Sequence, residues 1–426
     1  MSSPEAPPLA ARPDHVPDAL VRDYDIFNVP GAREDAHLAI RAFTQTAPEI
    51  FWTPRNGGHW VAAGGEAVAA MTADHEHFSS DCIFVPQKPK DAQREFPIES
   101  DPPRHTTIRR PLTVALLPGV VAKREAGIRE LAISLIEGLA GRGECEFVSE
   151  FAQIFPIGIF LDLVNLPATD RPMLLDLAKR IINGRTPAIR HAALGELIDY
   201  LGPVVRARRE TPGDDLLSPL VNVIEHDGEK IRERDAISYA NTVLLAGLDT
   251  VAAMLSMTTR YLALHPDARR ALIAHLDDDA FLKGAVEELI RRHGIVGIGR
   301  VITGDFNYRG VEMRKDESVI LLSAMVGLDE KLNKCPVDVD FSRDATQMHA
   351  VFGLGIHACP GAVLARRELK IFLQEWLKRI PDFAIAPGTT PSFTTGFVTG
   401  LTELNLVWPV AGGAVAETRE AQSQSA

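Results

Sequence analysis

The sequence predicts a mainly α-helical protein with small β-sheets. Apolar residues recur at helical spacing through most of the middle of the chain, whereas strand signals are short and too few for a doubly wound sheet. Hydrophobic residues make up 46% of the 426 and charged residues 24%, an ordinary globular mix with material for a large core. No Gly- or Ser-rich linker, repeat or charge block interrupts the middle, so residues 16–410 are expected to form one domain. A Pro-rich flexible segment, 1–15, and a small, polar flexible tail, 411–426, should flank it.

The elements follow in order. Phe51–Ala63 has the length and residues of one hairpin. Arg124–Gly138 places Ile128, Leu131, Leu135 and Ile136 on one helix face, and Pro172–Asn183 and Leu194–Arg209 repeat that pattern. Asp235–His265 is an unusually long helix stopped by Pro266, and Ala280–His293 is a further helix closed by Gly294. Val301–Leu322 gives short strands broken at Gly310. The last strand candidates flank Gly400 within Phe393–Val407.

Composition excludes several classes. The 45 Lys+Arg against 57 Asp+Glu leave a net charge of −12, which argues against general nucleic-acid binding. Four scattered cysteines, with no C-x-x-C pair, fit neither a disulfide scaffold nor a zinc ribbon and suit a reducing compartment. The N-terminus has no basic or apolar region of a signal peptide. The most apolar stretch, Thr242–Met257, falls short of a membrane span, so a protein free of the membrane is expected.

The most informative segment runs Phe352-Gly353-Leu354-Gly355-Ile356-His357-Ala358-Cys359-Pro360-Gly361 and continues into a strong helix. Helix N-termini and backbone N–H groups favour a thiolate, and glycines let those groups approach the sulfur. The arrangement suits a thiolate presented to a metal. A cysteine before a helix is also commonly a small buried apolar residue. The same segment formally matches a dinucleotide fingerprint, which the lack of βαβ units discards.

This loop resembles the haem-binding loop of the cytochrome P-450 superfamily, with Phe352, Gly353, Gly355, His357, Cys359 and Gly361 at its fixed positions. The resemblance implies that fold, with haem b between a long central helix and the loop, and Cys359 as the axial ligand of its iron. Glu288-Leu289-Ile290-Arg291, about 70 residues upstream, looks like the family's E-x-x-R element. There Glu288 and Arg291 would pair with Arg343 to support the loop. Ala246-Gly247-Leu248-Asp249-Thr250 resembles the oxygen-activation motif, where the helix is locally distorted. It implies that Thr250 hydrogen-bonds dioxygen or its water and that Asp249 relays protons. Asp101-Pro102-Pro103-Arg104-His105 to Arg109 looks like the propionate-binding element, so His105 and Arg109, with Arg300 and His357, are implied to hold the haem carboxylates. Phe352 and Gly353 would also contact the cofactor. Arg104 and Arg110 are expected to be solvated, His293 to act as a charge at a helix C-terminus, and His75 and His77 to lie on the surface.

The resemblance covers roughly residues 20–410 and is nearest to the soluble bacterial camphor hydroxylases. It implies a monomeric, cytoplasmic monooxygenase that takes O2 and a small apolar substrate. Electrons would come from a [2Fe–2S] ferredoxin and its flavin-dependent reductase. Arg104, Arg109, Arg110, Arg366, Arg367 and Lys370 are candidates for the docking surface. A peroxide-driven or isomerising haem-thiolate enzyme and a haem-based sensor are the alternatives; the intact Asp249-Thr250 pair weighs against the first. Phe84, Thr242, Leu245, Ala246, Val296, Phe397 and Val398 are expected to line the substrate. Gln93 falls where the camphor hydroxylases carry a tyrosine, Glu95 replaces an aromatic residue and Thr242 an aliphatic one. This departure implies weak camphor binding and preference for a larger terpenoid of the ionone type, unless the Pro86–Glu95 loop turns Gln93 to solvent.

Overall fold

The structure is a computed structural model that describes residues 9–183, 187–343 and 349–410. It contains the expected helices as Glu125–Ala140, Arg171–Asn183, Pro187–Glu210, Glu233–Leu264 and Asp279–Arg292. Arg104–Ala115 and Ala362–Arg379 are the helices expected after the two prolines and after Cys359, and the structure adds Ala32–Thr46, Gly65–Ala73, Ile154–Leu163 and Pro266–Ala274. Ile154–Leu163 is apolar almost all round and sits in the core, so no polar face marks it in the sequence.

The hairpin Ile50–Thr53/His59–Ala62 forms one edge of a five-stranded sheet. Ser318–Leu322 lies parallel to its second strand, and Gly297–Ile302 and Phe78–Ser79 follow. The sheet places Arg300 opposite Val319. Beside it, the Gly299 N–H donates to Ile83 O at 2.9 Å, and a β-carbon at Gly299 would lie 2.7 Å from that oxygen. Only glycine lets the 82–99 loop hang so closely on the strand. The N-terminal segment is less free than expected. Residues 1–8, like the tail 411–426, lie outside the described residues, but the Ala10 N–H donates to Pro54 O at 2.9 Å and His15 meets Glu317 at 3.0 Å. Burial of Val16 behind these contacts draws the segment onto the sheet.

Apolar residues collect in two clusters. One surrounds the sheet. The other lies among Arg104–Ala115, Ile154–Leu163, Arg171–Asn183 and Pro187–Glu210. The long helix Glu233–Leu264 belongs to both: Ala236, Tyr239, Ala240 and Leu244 pack in the second, Ala252 to Leu262 in the first. Residues 245–250 therefore fall at the seam. One 18-residue window of this helix reaches a mean hydropathy of 1.4, enough by composition to cross a membrane, which the expectation from Thr242–Met257 understated. Its packing in both clusters explains that apolarity as core.

Glu288 and Arg291 are buried and bidentate, with Nε to Oε2 at 2.7 Å and Nη2 to Oε1 at 2.8 Å. Arg291 also donates to the carbonyls of Gly327, Pro336 and Asp338, so all five of its N–H bonds are used. The Arg343 Nε donates to Glu288 at 3.0 Å, as does the Asp340 N–H at 2.9 Å. Removing the arginine leaves a buried carboxylate half-paired and takes the donor from the carbonyls of Gly327 and Pro336. Arg291→Leu is expected to cost roughly 3–5 kcal/mol of stability. Urea unfolding with and without haem tests this; a loss under about 1 kcal/mol would show that the network does not hold the fold.

Candidate active site

The cysteine loop packs against the end of the Gly65–Ala73 helix. Gly353 and Gly355 have φ of 68° and 69°, the left-handed region where glycine is favoured, and a β-carbon at Gly355 would meet Ala73 at 3.1 Å. The Cys359 N–H donates to Phe352 O at 2.7 Å, which closes the loop, and the helix Ala362–Arg379 begins three residues on. The thiol lies deep in the protein, yet it is open to a water-sized probe, as a group lining an internal hollow is. Burial pushes its pKa up, while the N–H groups of Gly361 and Ala362 and the charges of Arg109 and Arg366 pull down. A metal cation on the sulfur adds what this environment lacks for a thiolate.

Beside the loop, the buried rings of His105 and His357 face each other with centroids 4.2 Å apart. None of their four ring nitrogens has a hydrogen-bond partner among the described residues, and Asp101 is 3.9 Å from His357, beyond hydrogen-bond reach. Burial, then the neighbouring His357 and Arg109, lowers His105 to about 4. Arg300 is buried, its pKa lowered to about 10 by burial, and it donates only to Gly299 O among the described residues. Arg109 donates to Ala358 O with Nη2 while its Nε is unpartnered. Four nitrogen-bearing side chains thus converge beside the sulfur with donor capacity unspent. Such a nest fits an anionic cofactor.

On the long helix, the Thr250 hydroxyl donates to Ala246 O at 2.8 Å, and nothing lies within 4 Å of where a β-carbon at Gly247 would stand. The helix runs from Glu233 to Leu264, and the threonine bonds a carbonyl of the preceding turn. Burial raises the Asp249 carboxyl to about 6.

Several expected residues sit elsewhere. Gln93 is exposed and donates to Asp235 at 3.3 Å, because that fully buried carboxylate draws donors from Gln93, Arg104 and Arg232 alike. It does not line the apolar wall. Arg104 is not a solvated cation: it pairs with Glu225 and Asp235 and covers the Phe96 ring at 4.3 Å. His293 is buried and held well below its ordinary pKa, first by burial, so it carries no charge at the helix end. His77 is on the surface, bonded to Asp74. The basic docking surface is largely spent: Arg366 pairs with Glu287, Arg367 with Glu125 and Lys370 with Asp279, leaving Arg110 exposed.

Four of the remaining wall residues are brought together. Phe84 packs edge-on against Phe397 at 5.1 Å, Val296 bridges Val398, and Leu245 packs beside the second cluster. Two residues, Glu287 and Glu99, went unnoticed in the sequence. Glu287 receives Arg366 and His349 at 3.0 Å each, and Arg366 covers Phe352 at 4.3 Å, so the residue before the E-x-x-R element grips the cysteine loop. Glu99, fully buried, accepts from Lys88, Glu95 N and Ile83 N and shapes the 82–99 loop. Glu95 accepts from Thr242 at 3.0 Å. A doubled acid such as Glu287-Glu288 was visible; its division between two partners was not.

A loop-borne cysteine at a helix start, with a donor nest on one side and a threonine-bearing helix in the seam, defines a haem-thiolate oxidoreductase. The family model "Cytochrome P450" matches residues 158–396, and the chain belongs to that family. It is 32% identical to the "Probable cytochrome P450 127A1" of Sinorhizobium fredii over 93% of this chain and 96% of that one. It is 29% identical to the "Steroid C26-monooxygenase" of Mycolicibacterium smegmatis, covering 90% and 94%. Similarity to the crystal structure of CYP101J2 gives a TM-score of 0.85 at 35% identity, over 94% of this chain and all of that one, and CYP101C1 gives the same values. The protein is accordingly a cytochrome P450 monooxygenase, and its family cofactor is a haem held through a thiolate.

The raised Asp249 carboxyl has a measurable consequence. Its native pKa of about 6 exceeds the ordinary 3.8, so the folded chain keeps a proton that the unfolded chain releases. Stability from this group is full below about pH 4 and is lost as pH rises through 6. Asp249→Asn is expected to be more stable than wild type by roughly 3 kcal/mol at pH 8, a gap that shrinks toward pH 4. Urea melts across that range decide it; no gain at pH 8 would mean that a partner neutralises the carboxylate.

Proposed function

We propose that the chain hydroxylates an unactivated C–H bond of a small apolar, terpenoid-type substrate, using O2 and electrons from a [2Fe–2S] ferredoxin and its flavin-dependent reductase, as a cytoplasmic bacterial monomer. The observation that carries this is the convergence of unpartnered buried donors beside Cys359. Haem b fits them: Cys359 would take the iron, His105, Arg109, Arg300 and His357 the two propionates, and Phe352 and Gly353 the ring edge. Bound through a thiolate, haem supplies O2 binding and O–O cleavage. The chain supplies the rest. Thr250 can turn its hydroxyl from Ala246 O toward the hollow and hold a proton there. Asp249, with a carboxyl near 6, exchanges protons close to neutral pH. Phe84, Leu245, Val296, Phe397 and Val398 exclude water. Relatives named for a steroid, for vitamin D3 and for pentalenic acid support an apolar terpenoid-type substrate with a skeleton larger than camphor, such as the ionone type.

Reduced protein with carbon monoxide should show the strongly red-shifted Soret band of thiolate ligation, and Cys359→His should lose it. Retention of the band in that variant would remove Cys359 as ligand. Thr250→Ala should consume electrons at a comparable rate while yielding peroxide instead of product, since the proton must be delivered in a fixed geometry. Product per electron equal to wild type would exclude this role. In spin-state titrations, β-ionone is expected to shift the haem more completely than camphor; the opposite order would overturn the substrate assignment.

A further inference from the structure

Gln93 points away from the hollow, yet the 82–99 loop still brings a polar group to the long helix. Glu95 Oε2 accepts from the Thr242 hydroxyl at 3.0 Å and from Asn241 Nδ2 at 3.4 Å, and Oε1 accepts from Lys88 Nζ at 3.4 Å. Lys88 lies 4.4 Å over the Phe84 ring, and Phe84 packs on Phe397, so this cluster is continuous with the apolar wall. Thr242, Ala246 and Thr250 recur every four residues and share one helix face. Eight residues of helix put Thr242 about 12 Å from Thr250.

The cluster is rich in acceptors and short of donors. Two of the three bonds to Glu95 are at 3.4 Å, and its side chain keeps 20% exposure, so lone pairs remain within reach. The single Thr242 proton is divided between Glu95 and Ser238 O at 2.9 Å. Asn241 is 2% exposed, and its Oδ1 has no donor at all among the described residues. As the ion-pair partner of Lys88, Glu95 only accepts hydrogen bonds. A ketone brings a further acceptor and finds the nearby donors engaged. An ammonium group would meet Lys88 as a like charge. A neutral hydroxyl donates to Glu95 or Asn241 Oδ1 and accepts from Thr242 in return.

We propose that Glu95, Thr242 and Asn241 form a recognition site for a substrate hydroxyl, so that the enzyme prefers a terpenoid-type alcohol to the matching ketone. The alcohol lies about 12 Å along the helix from the carbon presented at Thr250. This rests on the monooxygenase reading above and names the substrate class of the same hollow. A molecule of this kind reaches the enzyme already oxygenated at one end, from a hydration, a carbonyl reduction or an earlier hydroxylation.

The test is isothermal calorimetry of the holoenzyme with β-ionol and β-ionone, an alcohol and ketone on one skeleton. Wild type is expected to bind β-ionol about tenfold more tightly, as a hydrogen bond to a charged group allows. In Glu95→Leu the ratio should fall to about one, with the carbon monoxide band unchanged. Glu95→Gln keeps the side-chain shape and serves where the leucine variant does not fold; its ratio should be less than half that of wild type. Equal or tighter β-ionone binding by wild type, or an undiminished ratio in both variants, overturns the proposal. Heat of binding is read without the iron, so a missing thiolate band would defeat the haem-thiolate reading separately.

Discussion

Adjacent residues on an α-helix point about 100° apart, and the cysteine loop depends on that angle at Glu287-Glu288. Glu288 faces inward and neutralises Arg291 and Arg343, which in turn bind the carbonyls of the segment leading toward the loop. Glu287 faces the neighbouring helix and grips Arg366, whose guanidinium covers Phe352, and His349 just before it. One helix turn therefore fixes both the approach to the loop and the loop itself. The buried charges cost much to desolvate, and the bidentate geometry and saturated donors on Arg291 are what offset that cost.

The second constraint is the seam. A helix packed evenly into one core would have no room for a small residue followed by a carboxylate and a hydroxyl. Here the apolar packing of the long helix changes sides near residue 245, and the polar pair occupies the interval. Burial without a charged partner among the described residues then sets the Asp249 carboxyl near neutrality. The propensity penalties at Gly247, Asp249 and Thr250 are affordable because packing at both ends holds the helix together.

Much of this was legible in the sequence where residue type and spacing carry the chemistry. Gly353 and Gly355 need their backbone angles, Cys359 needs its helix, and Glu288 and Arg291 share a face by the i, i+3 rule. What escaped was set by long-range pairing. Gln93 was placed by counting along a loop, but the direction of its side chain was decided by Asp235, more than 140 residues away, which is buried and drew it outward. The basic residues of the Ala362–Arg379 helix read as a free surface because their acidic partners lie on two other helices. His293 read as a charge because its position at a helix end was visible and its burial was not. Ile154–Leu163 has no periodicity to read, being apolar on every side.

Two of the contacts that hold the 82–99 loop lie toward its ends. At one end a backbone bond ties Ile83 to Gly299, where no side chain fits. At the other, Glu99 is saturated by one lysine and two N–H groups. Apart from Lys88, neither pin uses a side chain between Phe84 and Glu95. With Lys88 kept, the other side chains of that stretch can exchange without loosening either pin, and so without moving the strand that carries Arg300 or the helix that carries His105. Substrate range and cofactor binding are mechanically separate here, so a lineage can drift from one small molecule to another through this loop while its redox centre stays in register.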